Sequence, residues 1–211
     1  MESIIVCLIG AQASGKSTLE RWIDEDLKIP RLRSHTTRPK RITDRDDEYY
    51  FIDNEHFNDL KWLDGGFIET REYTVADGTV WQYGLHATAV NAPVHILVID
   101  YVGFCELRKH YITLGIHIDI TREESFNRIK EFRPSYPMDE AIRRFDSDVE
   151  LIQIPARRDP LIFQMQTQDS VTKSQEEVRK FINLATRSSG HKRTLTPVGS
   201  KVFLYEGEAN E

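Results

Sequence analysis

Apolar positions along the chain fall into two rhythms. Six apolar residues, Ile4 to Ile9, run without a break, which suits one strand buried on both faces. Leu19, Trp22, Ile23 and Leu27 then recur at helical spacing, and Ile29-Pro30 stops that helix. A second continuous run, Val94 to Asp100, ends in a carboxylate and predicts a central parallel strand. Gly115 to Ile120 and Leu161 to Met165 predict two more. Helices are predicted over about 103–112, from the capping box Thr121-x-x-Glu124 onward, over Met138 to Ile154 and over Ser174 to Leu184. Strands alternating with helices make an α/β fold, a parallel sheet flanked by helices. From Arg187 the composition turns polar, with a short apolar island at Val202 to Tyr205 that could add an edge strand or dock on another chain. Glu206 to Glu211 reads as a mobile tail.

The turn after the first strand carries the clearest chemistry. Gly10-Ala11-Gln12-Ala13-Ser14-Gly15-Lys16-Ser17, then Thr18, is a Gly-x-x-x-x-Gly-Lys-Ser loop between a strand and a helix. Its glycines let successive N–H groups converge on an anion, and the helix behind it adds its positive end. Lys16 would set a cation against the β- and γ-phosphates of ATP, and Ser17 would offer a hydroxyl to Mg²⁺. Asp100 ends its strand where open α/β sheets bind ligands, and could act on Mg²⁺ through water or simply cap the next helix.

Between the first helix and the second strand the periodicity weakens. Arg31 to Arg41 is basic and hydroxyl-rich, followed by Asp44, Asp46, Asp47 and Glu48 and then by aromatic residues. Arg38 and Arg41 could clamp an anion, with Ser34, Thr37 and Tyr49 as hydroxyl donors. An exposed loop whose ions pair among themselves accounts for the same stretch. Gly65-Gly66 leads as a turn into Phe67-Ile68-Glu69, and Asp77-Gly78 marks a hairpin turn. Arg128, Arg133 and Arg144 are separated by Pro134 and Pro137. His117 alternates with apolar residues and reads as structural.

Ser-x-Thr-Thr-Arg-Pro-x-Arg, Tyr-x-Phe, Gly-Phe-Ile-Glu and Tyr-Gly, in that order downstream of a P-loop, resemble the guanylate kinase family over residues 1–186. The resemblance implies a P-loop fold with an inserted monophosphate-binding lobe (34–89) and a lid (130–140), and leaves 187–211 as a tail. It implies transfer of the ATP γ-phosphoryl group to GMP or dGMP. Ser34, Arg38, Arg41, Tyr49 and Tyr83 would hold the acceptor phosphate, Asp100 would lie between the nucleotides, and Arg133 and Arg144 would be the lid arginines, with Arg128 offset and Arg143 an alternative. Those arginines could instead pair on the helix surface with Glu131, Asp139 and Asp146. Glu69 would face the base. An ionised carboxylate only accepts hydrogen bonds, and guanine presents two donors on one edge where adenine does not.

The chain departs from the family in several places; among them, the acidic patch between Arg41 and Tyr49 is about one residue short and Val102 replaces a usual Gln. Thr70 to Gln82 is longer than usual, Leu85 stands where a Ser or Thr normally meets guanine O6, and Val98 replaces an acidic residue. His86 or Thr88 could replace the lost hydroxyl. These changes keep other acceptors in view, whether further (deoxy)nucleoside monophosphates or a phosphorylated sugar. Some domains of the family bind proteins and do no chemistry, which retention of Gly15, Lys16 and Ser17 argues against.

At 211 residues the chain suits one core with insertions. A net charge of -6 disfavours a general nucleic-acid or membrane surface, and no apolar run is long enough to span a bilayer. Cys7 and Cys105 match no metal spacing and read as reduced thiols, which suits the cytoplasm and a monomer or homodimer.

Overall fold

The computed structural model describes residues 3–42, 44–63, 65–75, 78–166, 171–187, 193–198 and 201–206. In chain order the elements are β1 (Ile4–Ile9), α1 (Lys16–Leu27), β2 (His35–Thr36), β3 (Tyr50–Phe51), α2 (Asn54–Leu60), β4 (Phe67–Thr74), β5 (Val80–His86), β6 (Val94–Val98), α3 (Tyr101–Leu107), β7 (Ile112–Asp119), α4 (Arg122–Phe132), α5 (Met138–Asp148), α6 (Ile154–Arg158), β8 (Ile162–Gln166), α7 (Val171–Arg187), β9 (Arg193–Val198) and β10 (Lys201–Glu206). Four of them form a parallel sheet in the order β6-β1-β7-β8.

Side chains alternate across a strand, so β1 feeds two cores. Ile4, Val6 and Leu8 pack with Leu19 and Ile23 of α1 and with Val178, Phe181 and Ile182 of α7. Ile5, Cys7 and Ile9 pack on the other side with Phe104 and Leu107 of α3 and Ala156 of α6. Helices on both faces explain the unbroken apolar runs, as expected for parallel strands. Gly115 is needed where β7 meets β8. A Cβ there would lie 2.7 Å from Ile162 Cγ1 and 3.2 Å from the Phe104 ring. We expect Gly115→Ala to destabilise the fold by about 1–3 kcal/mol through overpacking. Urea unfolding checks this, and an unchanged midpoint would show that the junction has slack.

The expected strands and helices are present, with shifted ends. β6 stops at Val98 because Asp100 turns the chain, its Oδ1 accepting Gly103 N–H at 2.6 Å as the cap of α3. That helix therefore starts earlier than its apolar pattern suggested, and ends at Leu107. β7 begins at Ile112, since Ile112, Thr113 and Leu114 pair with Ile4, Ile5 and Val6. Thr121 caps α4 by accepting Glu124 N–H at 3.2 Å. The helical stretch after Met138 contains five π-helical residues, Val149–Gln153, directly before Pro155 in α6. Proline has no N–H to offer the preceding turn, and the widened turn fits that loss.

The inserted lobe is a mixed sheet in the order β3-β2-β5-β4. Its helix α2 was not apparent in the apolar pattern; Asp53 caps it by accepting His56 N–H at 2.8 Å, and Phe57 is buried against Phe67. The long loop expected after Glu69 is largely a hairpin, β4 and β5 pairing from Thr74 with Val80 back to Glu69 with Leu85. Gly78 takes a φ of 84° in its turn, and Asp77 lies outside the described residues. The lid expected over 130–140 is narrower, because α4 continues to Phe132 and α5 begins at Met138. The apolar island of the tail forms β10, which pairs with β9 as a separate two-stranded sheet. Residues 207–211, expected to be mobile, lie outside the described residues.

Candidate active site

The Gly-Lys-Ser loop leaves β1 and enters α1 through Gly15, at a φ of 98°. No side chain caps this helix, so its first N–H groups stay available to an anion. Lys16 Nζ folds back to donate to the carbonyls of Gly10 and Ala11, both at 2.8 Å. Burial pulls its ammonium down to about 8; Asp148 opposes this, while Arg144 and Arg133 reinforce it. The expected P-loop lysine and the two expected lid arginines are thus gathered at one place. Asp148 was not foreseen. It accepts Gln12 N–H at 2.7 Å, a contact between residues 136 apart in the chain. Gln12 is held further by its own amide on Ala141 and by Ser125 Oγ on its carbonyl.

Across the cleft, Arg38 is 5% exposed and bonds Asp44 at 2.7 Å. Burial works against its charge, but Asp44 and Tyr83 outweigh that and hold its pKa up. Asp44 also accepts Arg41 N–H at 2.6 Å, which orders the loop between the two arginines. Arg41 lies over the Trp81 ring, 5.7 Å from its centroid. Its pKa is lowered by burial and then by the charges of Arg38 and Arg144. Tyr49 and Tyr83 meet edge to face at 5.7 Å, and Arg38 sits 5.6 Å from the Tyr49 ring. Ser34 precedes β2, its carbonyl accepting Tyr50 N–H. Other charges of this segment do pair among themselves, Lys40 with Asp46 and Arg45 with Asp47. Together with Arg38 and Asp44, these are the ion pairs that the second reading of the segment expected.

Arg144 lies on α5. It bonds Tyr136 of the lid and lies in the field of Asp148 and Glu140. Arg143 instead forms an exposed ion pair with Glu140 at 2.7 Å. Arg128 is tied to Glu124 and to the Ala13 carbonyl, at the back of the loop.

Glu69 owes its direction to a bulge. Phe67 pairs with His86 and Glu69 with Leu85, so Ile68 is an extra residue on β4. The bulge turns Phe67 and Glu69 to opposite faces. Phe67 meets His86 and His35 on one side. Glu69 shares the other with Leu85, then Arg71 with Tyr83 and Tyr73 with Trp81. His86 therefore faces away from Glu69, and Thr88 is bonded to its Nδ1 at 2.9 Å. Neither takes the place of the hydroxyl missing at Leu85, which is wholly buried in the apolar core with Ile5, Cys7 and Ile9. Glu69 itself is 7% exposed, and its Oε2 has no hydrogen-bond partner.

Arg71 and Tyr73 complete this face and had no sequence signal. Both faces of β4 are polar beyond Glu69, so alternation is invisible there. Asp100 takes Tyr73 OH at 2.5 Å and Arg71 Nε at 3.5 Å in addition to capping α3. Its helix-cap role is thus real, and it also ties the lobe to the sheet.

His117 is buried and bonded to Gln164 at 2.8 Å. Among the described residues there is no cluster of three or more His, Cys, Asp or Glu placed to hold a metal ion, and no helix long and apolar enough to cross a membrane. Both cysteines are free.

No protein-family model matches the chain, and no curated protein does either. Among solved structures, that of guanylate kinase from Anaplasma phagocytophilum is similar, with a TM-score of 0.57 and 20% identity. The match covers 89% of this chain and 86% of that one. With its parallel sheet flanked by helices, the chain therefore has a guanylate kinase-like P-loop fold.

Proposed function

We propose that this protein is an ATP-dependent kinase that phosphorylates a nucleoside monophosphate, GMP or dGMP, to give GDP or dGDP and ADP. One observation carries the reading. Burial lowers the pKa of both Lys16, in the loop, and Arg41, in the opposite lobe, and the charge of Arg144 adds to each. A single cation thus lies within reach of two separate anion sites. Cations that repel one another across a cleft are relieved by phosphates, and phosphoryl transfer brings two phosphates together in such a place.

In this reading ATP lies on the loop Gly10 to Thr18, with Lys16 on its β- and γ-phosphates. The uncapped start of α1 fits an anion there. Ser17 is exposed beside Lys16 and would hold Mg²⁺, with Asp100 acting through water. Ligands this few suit Mg²⁺, which is usually bound through phosphates and retained waters. When bound, the ion adds positive charge at the transferring group. Ser34, Arg38, Arg41, Tyr49 and Tyr83 hold the acceptor phosphate, and Glu69 meets the base. Arg133 and Arg144 close over the transferring group and exclude water. The acceptor oxygen attacks the γ-phosphorus in line, the bond to the β-phosphate oxygen breaks, and ADP leaves. No protein nucleophile is needed, because positioning and charge lower the barrier.

The buried Leu85 favours a second reading, in which the same site takes a different acceptor. A coupled ADP-release assay with Mg–ATP and GMP, dGMP, AMP, dAMP, CMP, UMP and dTMP separates them. Turnover confined to GMP and dGMP is the expected result. Turnover of several bases would mean a broader monophosphate kinase. No turnover with retained ATP binding would mean a non-nucleotide acceptor, such as a phosphorylated sugar, or a binding module.

A further inference from the structure

We propose that Arg71 reads the acceptor atom at position 6 of an oxopurine base, in place of the hydroxyl that this chain lacks after Gly84. The inference rests on the reading of the cleft as an acceptor-nucleotide site. Arg71 is 20% exposed in its side chain. Its Nη1 donates to the Thr70 carbonyl at 2.6 Å and its Nε reaches Asp100 Oδ1 at 3.5 Å. Its Nη2 is buried with no partner. Two residues earlier on the same face, Glu69 Oε2 is also buried with no partner.

A buried acceptor and a buried donor therefore lie on one sheet face without bonding each other. Leaving both unsatisfied is costly, and the arrangement calls for a third group that donates to one and accepts from the other. A 6-oxopurine has both on one edge: N–H donors for the carboxylate, and O6 beside them for the guanidinium. Adenine would turn its 6-amino donor against the Arg71 donor. Arg71 is also held in place. Asp100 is fixed by the N-terminus of α3 and by Tyr73 OH, so the guanidinium is set by a network anchored in the sheet.

The competing explanation is that Arg71 only ties the lobe to Asp100. The experiment compares kcat/KM for GMP and 6-thio-GMP with Mg–ATP, in the wild type and in Arg71→Met. The thio analogue keeps the N1 and N2 donors and weakens the acceptor at position 6. The wild type is expected to prefer GMP by roughly 10–100-fold, the discrimination of a charged hydrogen bond. Arg71→Met should lose about that factor on GMP, bring the two substrates close to parity and leave the KM for ATP unchanged. A purely structural role would lower both substrates together and keep their ratio, which overturns the proposal. A wild type that uses both equally also overturns it, whether or not the variant folds. A protein that uses GMP yet ignores position 6 refutes only the role of Arg71. One that uses no purine monophosphate refutes the kinase reading itself.

Discussion

Lys16→Ala is expected to lower kcat by about 10²–10³-fold, the loss typical of removing one preorganised charge from a transfer site. No neighbour replaces it. Arg128, the other cation touching the loop, is tied to Glu124 and to the Ala13 carbonyl behind it. The charges of Arg144, on α5, and of Arg133, just after α4, repel Lys16 before a phosphate arrives. The unliganded variant should keep its unfolding midpoint or raise it. Burial depresses the lysine from 10.5 to about 8, so at pH 7 it is charged in both folded and unfolded states and its desolvation weighs against the fold. What should disappear is the rise in midpoint that Mg–ATP produces in the wild type. Steady-state kinetics and thermal unfolding check both halves. A variant within tenfold of wild-type kcat would remove this loop from the reaction.

Glu69→Gln is expected to cut kcat/KM for GMP by roughly 10²–10³-fold and to change the KM for ATP little. A glutamine turns a donor towards a base edge that also donates, leaving buried groups unpaired. Burial holds the Glu69 carboxyl up at about 7, against the opposing charge of Arg71 and with that of Asp100 adding to it. In the unliganded protein the sign is that of a raised acid. The stability it contributes is full below its ordinary 4.5 and is lost as pH climbs through about 7. Base recognition runs the other way, since only the ionised form accepts both donors. The wild-type kcat/KM for GMP should therefore rise with pH through about 7, and this limb should be missing in Glu69→Gln. Equal losses on GMP and ATP, or an unaltered pH limb, would mean that Glu69 does not meet the base.

The sequence by itself determined what local spacing controls. A six-residue apolar run, a Gly-x-x-x-x-Gly-Lys-Ser loop and a 3.6-residue stripe specify β1, the phosphate loop and α1, because each needs only its own neighbours. Continuous apolar strands likewise specify a sheet covered on both faces, and Thr121 marks the start of α4 three residues before the N–H it binds. Tertiary structure decided what depends on pairing between distant segments. One extra residue at Ile68 sets which way Glu69 points, and nothing in its own codons of sequence distinguishes a bulge from regular strand. Arg71 and Tyr73 reach Asp100 only because the pairing of β4 with β5 sets them on the face of Glu69. Leu85 is wholly buried because its strand leans on Ile5, Cys7 and Ile9. Asp148 meets Gln12 across 136 residues, and Arg144 bears on both Lys16 and Arg41 through the packing of α5. Register and packing are collective properties, each fixed by partners that the local sequence does not contain.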